Sequence, residues 1–231
     1  AGQLEKTLRE LGNPEKAKVS QNFFKTGPGQ YGEGDIFLGF TASELRLAVK
    51  DFDLSLDEIK KALHSPLHEV RLAGVKLLVE KFNRSEAAAR KKIFDFYMKY
   101  STRINNWDLV DSSAHHIAGK YLEGKARAVL YRFAKSKNLW QRRIAIVSTW
   151  HEIRAGRFSD TLKISEILLR DEHDLIHKAC GWMLREADKK KPGCIDRFLK
   201  THQAGMPRTM LRYAIERFPE NKKKKIMAGK F

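Results

Sequence analysis

The chain has 231 residues, 42% of them hydrophobic, enough for one large domain or two small ones. Its 45 Lys and Arg against 28 Asp and Glu give a formal net charge of +17. That self-repelling excess points to a polyanionic partner, nucleic acid ahead of a membrane surface. No apolar run reaches the roughly 18 residues of a membrane span, and the two cysteines, Cys180 and Cys194, are too few for a disulfide framework. A chain with free thiols in a reducing cytoplasm is expected, with no membrane partner.

In chain order, the N-terminal AGQLEKTLRELGNPEK is charged and lacks the apolar stretch of a signal peptide. GPGQYGEG (27–34) places Gly27, Gly29 and Gly32 in GxGxxG spacing. Without a preceding strand and a βαβ unit this reads as a surface loop, one whose backbone N–H groups could approach a phosphate. Helix then dominates. Apolar residues recur at three and four spacing over 68–82, 89–100, 140–153 and 174–187, and strand-type alternation is missing. His64 and His68, like His173 and His177, lie four apart, but neither pair has the Glu of HExxH or a Cys cluster beside it. No metal and no cofactor are expected. NKKKKI (221–226), in a basic tail at about 221–231, reads as a solvated run that adds attraction to nucleic acid.

Several of these helices resemble one another. VRLAGVKLL (70–78), RRIAIVSTW (142–150), HKACGWMLR (177–185) and LRYAIERF (211–218) each set a basic residue just before an alanine and an apolar helix. Ala145, Ala179 and Ala214 are 34 and 35 apart, and Ala73 is about twice that from Ala145. WDLVDSSAHHIAGKYL (107–122) fills the gap, with Ser113 in the alanine's place. This period predicts an all-α HEAT-like solenoid, a single domain over 1–231 with a concave basic groove. Two places before the small residue stand Arg71, Asp111, Arg143, His177 (beside Lys178) and Arg212, so one repeat puts a carboxylate where the others put or flank a base.

That carboxylate lies in NNWDLVDSS (105–113). Trp107 and Asp111 are four apart and share a helix face, with Asp108 close by. The plain alternative is a buried Trp and a helix N-terminal Asp. Arg143 and Trp182 gain weight from sharing the repeat phase of Asp111, and a cation, an aromatic ring and a carboxylate could converge in one groove. Trp140 and Trp150 look like core.

At this point the sequence resembles the AlkD-like DNA alkylation repair glycosylases. The resemblance covers most of the chain and is densest in NNWDLVDSS (105–113), NLWQRRIAIV (138–147) and IHKACGWMLRE (176–186), with FFKTGPGQYGEGDIFLGF (23–40) similar to the N-terminal block of a large branch. It implies excision of cationic N3- or N7-alkylated purines from duplex DNA, through backbone contacts that leave the lesion stacked, by a bacterial-type monomer. It also implies Asp111 as the catalytic carboxylate, Trp107 and Trp182 packed on the sugar-phosphate backbone, and Arg143 contacting DNA nearby. Phe23 or Phe24 stands where the best-known branch has a tyrosine. Arg71, Lys178 and Arg212 complete the expected DNA-binding set.

The chemistry suits these residues. A purine alkylated at N3 or N7 is already a good leaving group, and positive charge builds on the sugar as the glycosidic bond breaks. A fixed carboxylate at roughly 4 Å and an effective dielectric near 20 is worth on the order of 4 kcal/mol, about a thousandfold in rate. A non-catalytic nucleic-acid binder would keep the charge but not need Asp111. A protein scaffold would explain the repeats but not the charge.

Overall fold

The structure, a computed structural model, describes residues 2–230 and consists of helices, with one isolated parallel bridge between Ile36 and Leu67. Internal contacts cluster into two units, residues 1–113 and 114–231. The first holds α1 (Gly2–Leu11), α2 (Pro14–Phe23), α3 (Ala42–Val49), α4 (Leu56–Leu63), α5 (His68–Arg84), α6 (Ala87–Lys99) and α7 (Trp107–Asp111). The second holds α8 (Ala128–Ala134), α9 (Leu139–Ser148), α10 (Trp150–Arg154), α11 (Ser159–Ile167), α12 (Asp174–Lys190), α13 (Asp196–His202), α14 (Arg208–Ala214) and α15 (Glu220–Met227). None of these helices is long and apolar enough to cross a membrane.

Local sequence sets the helix starts. Thr41 with Glu44, and Ser55 with Glu58, form reciprocal capping boxes on α3 and α4. Asn13, Asn106 and Asn138 accept first-turn N–H groups of α2, α7 and α9. The repeat phase seen in the sequence is a burial phase: Ala73, Ser113, Ala145 and Ala179 are fully buried, and Ala214 is 1% exposed. A small side chain there lets consecutive helices approach, which gives the all-α helical-repeat fold its period.

Two helices expected to be continuous are broken. Over 107–122 the α-helix ends at Asp111, and a wider turn follows at His115–Gly119. The Ser113 hydroxyl donates to the Leu109 carbonyl at 2.6 Å and receives the Tyr97 hydroxyl at 2.9 Å. Over 140–153 the break falls at Thr149, whose hydroxyl bonds the Ile146 carbonyl at 2.7 Å, while Ser148 bonds Ile144 at 2.6 Å. Hydroxyls that bond back to the preceding turn bend helices. The C-terminal run is also more than a solvated tail. It forms α15, Ile226 is buried, and Lys222 bonds both oxygens of Asp196 and stands 4.3 Å over the Phe218 ring.

A close approach in the second unit is at Gly181 on α12. A Cβ added there would lie 2.4 Å from Cβ of Tyr213 and 2.6 Å from the Met210 carbonyl, both on α14. Gly181→Ala is therefore expected to push α14 away and cost about 1–3 kcal/mol despite its better helix propensity. Urea unfolding checks this, and an unchanged or raised midpoint would count against the packing described.

Candidate active site

Helix α5 is buried on almost every side, including its first turn, where His68, Glu69 and Arg71 are 1%, 3% and 4% exposed. Polar groups buried so deeply must find partners within the fold. Glu69 accepts N–H groups of the incoming loop, from Leu38 and Gly39 at 2.8 Å each. Gly39 is required there: its φ is +87°, and a Cβ would fall 2.1 Å from the Asn13 carbonyl oxygen.

His68 and Arg71 share a partner. Asp35, 6% exposed, accepts Arg71 Nη2 on Oδ1 at 2.6 Å, and on Oδ2 it meets His68 Nδ1 and Asn106 Nδ2, each at 3.1 Å. The other imidazole nitrogen, Nε2, lies 2.8 Å from Oδ2 of Asp108. Two carboxylates and two cations thus form a charge-balanced quartet, three of its members buried and Asp108 partly so. Burial works against the charge on His68, but the bonds to Asp108 and Asp35 outweigh it and raise its pKa to about 9. Burial also opposes the charge on Asp35, yet His68, Arg71 and Asn106 hold its carboxyl below the usual range.

This quartet carries α7. Asn106 caps the helix with its Oδ1 on Trp107 N at 2.8 Å while its Nδ2 reaches Asp35. Asp108 accepts the Leu109 N–H on Oδ1 and faces His68 with Oδ2. Leu109 and Val110 are fully buried, which leaves Trp107 and Asp111 half-buried at four-residue spacing. Both line a cavity of about 400 Å³ together with Phe24, Phe37, Phe40, His68, Asp108 and Lys76. Phe24 stacks on Trp107 with centroids 5.2 Å apart and planes 10° apart, and Phe37 stacks on His68 at 4.3 Å. Phe23, 64% exposed, meets the Trp107 ring edge-on at 6.0 Å. Trp107, Phe23, Phe24 and Asp111 are therefore brought together within the first unit.

Arg71 is placed differently from expectation. Its guanidinium is buried against Asp35 and donates to the Ser65 carbonyl at 3.0 Å, so its charge serves the fold and not a phosphate. In the second unit Arg142 makes the equivalent contact with the Ser136 carbonyl at 3.0 Å and pairs with Asp171. The structural equivalent of Arg71 is thus Arg142, one residue away from the register that the alanines suggested. Arg143 is 5% exposed and donates to the Leu175 carbonyl. Lys178 pairs with Asp174 at 2.7 Å, and Arg212 is exposed. Trp182 is half-buried edge-on to Trp150 at 5.0 Å, and Trp150 in turn lies 4.5 Å from His115. Trp140 is core as expected, whereas Trp150 is only half-buried and belongs to this aromatic row.

The family model described as DNA alkylation repair enzyme matches residues 4–218. The chain belongs to the DNA alkylation repair enzyme family. Its fold is similar to a solved structure described as a predicted DNA alkylation repair enzyme from Enterococcus faecalis, with a TM-score of 0.71 at 17% identity over 90% of this chain and 97% of the other. No curated protein matches the sequence.

In this family member the groups that sequence reasoning missed are Asp35, His68 and Glu69. A signal was present: HEVRLAGVKLL puts three charged or polar residues into the first turn of a helix too apolar to have a wet face. Among the described residues, Glu123, His151 and Glu152 cluster closely enough to suit a cation, but Arg157 already bonds both glutamates and Arg127 pairs with Glu152.

The quartet gives this repair-family fold a defined pH response. The His68 pKa is raised from an ordinary value near 6.5 to about 9, so the stability it contributes is complete below about pH 6.5 and is lost as pH rises through about 9. Asp35 acts in the opposite direction: its contribution is present above about pH 4 and is lost on acidification. The free energy of unfolding should fall by on the order of 3 kcal/mol between about pH 6.5 and pH 10, and His68→Gln should flatten that slope. A pH series of urea titrations measures this. An equally steep slope in the variant would remove His68 as its cause.

Proposed function

We propose that the chain is a DNA glycosylase that excises cationic N3- and N7-alkylated purines from duplex DNA, with Asp111 as the catalytic carboxylate. One observation carries the reading: in a chain of net charge +17, a half-buried carboxylate shares the wall of an aromatic-lined cavity with Trp107. Membership in the DNA alkylation repair enzyme family supplies the reaction's context.

Asp108 and Asp111 lie on the same short helix but suit different tasks. Asp108 is committed to His68 and to the N–H of Leu109. Asp111 lines the cavity beside Trp107 and is the group we assign to the substrate. As the bond from C1′ to the alkylated base breaks, the electron pair leaves with the base and neutralises its charge, so no acid is needed. The Asp111 carboxylate stabilises the cationic sugar and orients a water, whose oxygen bonds C1′ and whose proton passes to the carboxylate. No metal or cofactor enters this reaction.

Phe23, Phe24 and Trp107 in the first unit, with Trp182, Lys178 and Arg212 in the second, are assigned to the DNA backbone. Arg143 belongs to that set by family resemblance alone. The protein is read as a monomer that works on DNA in the cytoplasm.

Asp111→Asn keeps the size of the side chain and removes its charge. Single-turnover release of 7-methylguanine should fall by roughly two to three orders of magnitude, while binding of undamaged duplex holds or improves. Wild-type rates in Asp111→Asn would overturn the assignment. Strong duplex binding with no excision by the unmodified chain would leave a non-catalytic DNA-binding protein.

A further inference from the structure

We propose that His68 is the positioning residue of this site, a doubly donating imidazolium that clamps Asp108 to Asp35 and so holds α7 with Trp107 and Asp111 on the cavity wall. The inference rests on the glycosylase reading for its kinetic consequence, but its structural content stands separately.

The clamp follows from counting donors. Both partners of the ring are carboxylates, which only accept hydrogen bonds, at 3.1 Å from Nδ1 and 2.8 Å from Nε2. A neutral imidazole has one N–H and can serve one of them; only the imidazolium serves both. Loss of the proton therefore releases either Asp35 or Asp108 and leaves a carboxylate facing a bare nitrogen lone pair. Release of Asp108 removes the side-chain tie between the first turn of α7, a helix of five residues, and α5, and leaves that turn to the Asn106 cap and the packing of Leu109 and Val110. The ring is also part of the wall: Phe37 stacks on it, Phe24 tilts against it at 4.9 Å, and Phe24 carries the stack onto Trp107.

The charged groups around the ring come from every neighbouring element. Asp35 lies in the incoming loop, Asp108 on α7, and Arg71 on α5, where its positive charge opposes that of His68. Glu69, Lys76 and Asp111 share the cavity wall. The carboxylates prevail, and His68 keeps its proton up to about pH 9. A misplacement of about 1 Å at a catalytic group can cost on the order of a hundredfold in rate, so a clamp of this kind acts on the chemical step.

The test combines imidazole ¹⁵N NMR with single-turnover excision from methylated duplex at saturating protein, from about pH 7 to about pH 10, for the wild type and His68→Gln. The proposal expects both His68 nitrogens protonated at neutral pH, with the Trp107 indole N–H shifting along the same titration near pH 9. It expects the limiting rate to fall about tenfold or more along that curve, and His68→Gln to be about tenfold or more slower at neutral pH and saturating protein, without an alkaline limb. A neutral His68 at pH 7 would overturn it, and so would a variant with wild-type rate and profile. If the variant fails to fold, the wild-type titration decides alone. If the wild type excises nothing, the glycosylase reading fails, and the coupled titration of His68 and Trp107 still decides whether the clamp exists.

Discussion

The architecture of the first unit depends on a charge-balanced contact among Asp35, His68, Arg71 and Asp108. Buried ions are costly to desolvate, and the cost is met only when every charge is paired and bonded. Here it is met by drawing together three segments that are far apart in sequence: the loop between α2 and α3 that carries Asp35, the first turn of α5 and the start of α7. Each arrives with further support. Glu69 anchors the loop through its N–H groups, Asn106 caps α7 while reaching Asp35, and the rings of Phe24 and Phe37 cover the imidazole. Replacing one member leaves an opposite charge buried without its partner, so the set behaves as a unit.

That arrangement separates two jobs that one short helix would otherwise confuse. Asp108 and Asp111 are three residues apart, and a repulsive pair would weaken any site that relied on either. His68 engages Asp108, and Asp111 stands beside Trp107 on the cavity wall. The protein is strongly basic, with a net charge of +17, which suits a polyanion, and on the proposed reading Asp111 is the acidic group that meets the substrate cation. A site held by a buried salt-bridged network, with a cap and stacked rings behind it, is the rigid kind on which electrostatic catalysis depends.

Much of this was legible in the sequence because the relevant signals are local or periodic. The helical repeats followed from alanines about 34 residues apart, and their burial is what makes the spacing visible. Trp107 and Asp111 could be placed on one face because helical geometry fixes residues four apart. Phe23 and Phe24 came from family resemblance, and their contact with Trp107 is a fact of the fold that no local rule contains. The quartet was not legible. Asp35 pairs with His68 and Arg71 across more than 30 residues, and Arg71 looked like one of a row of phosphate-binding bases. A single residue of slippage between repeats, Arg71 matching Arg142 and not Arg143, was enough to turn a structural arginine into an apparent functional one. The helix breaks at Ser113 and Thr149 were missed because they arise from hydroxyls that fit an apolar helical pattern while competing for its carbonyls.

The central claim is that this carboxylate-bearing wall breaks a glycosidic bond, beyond holding DNA. The most direct measurement quantifies free methylated purine and abasic sites together after an excess of the wild-type protein meets methylated duplex DNA. The account predicts that both products rise in equal amounts and at one rate, with unmodified purines left in place. Tight association with the duplex, with neither product above the spontaneous background, would contradict it.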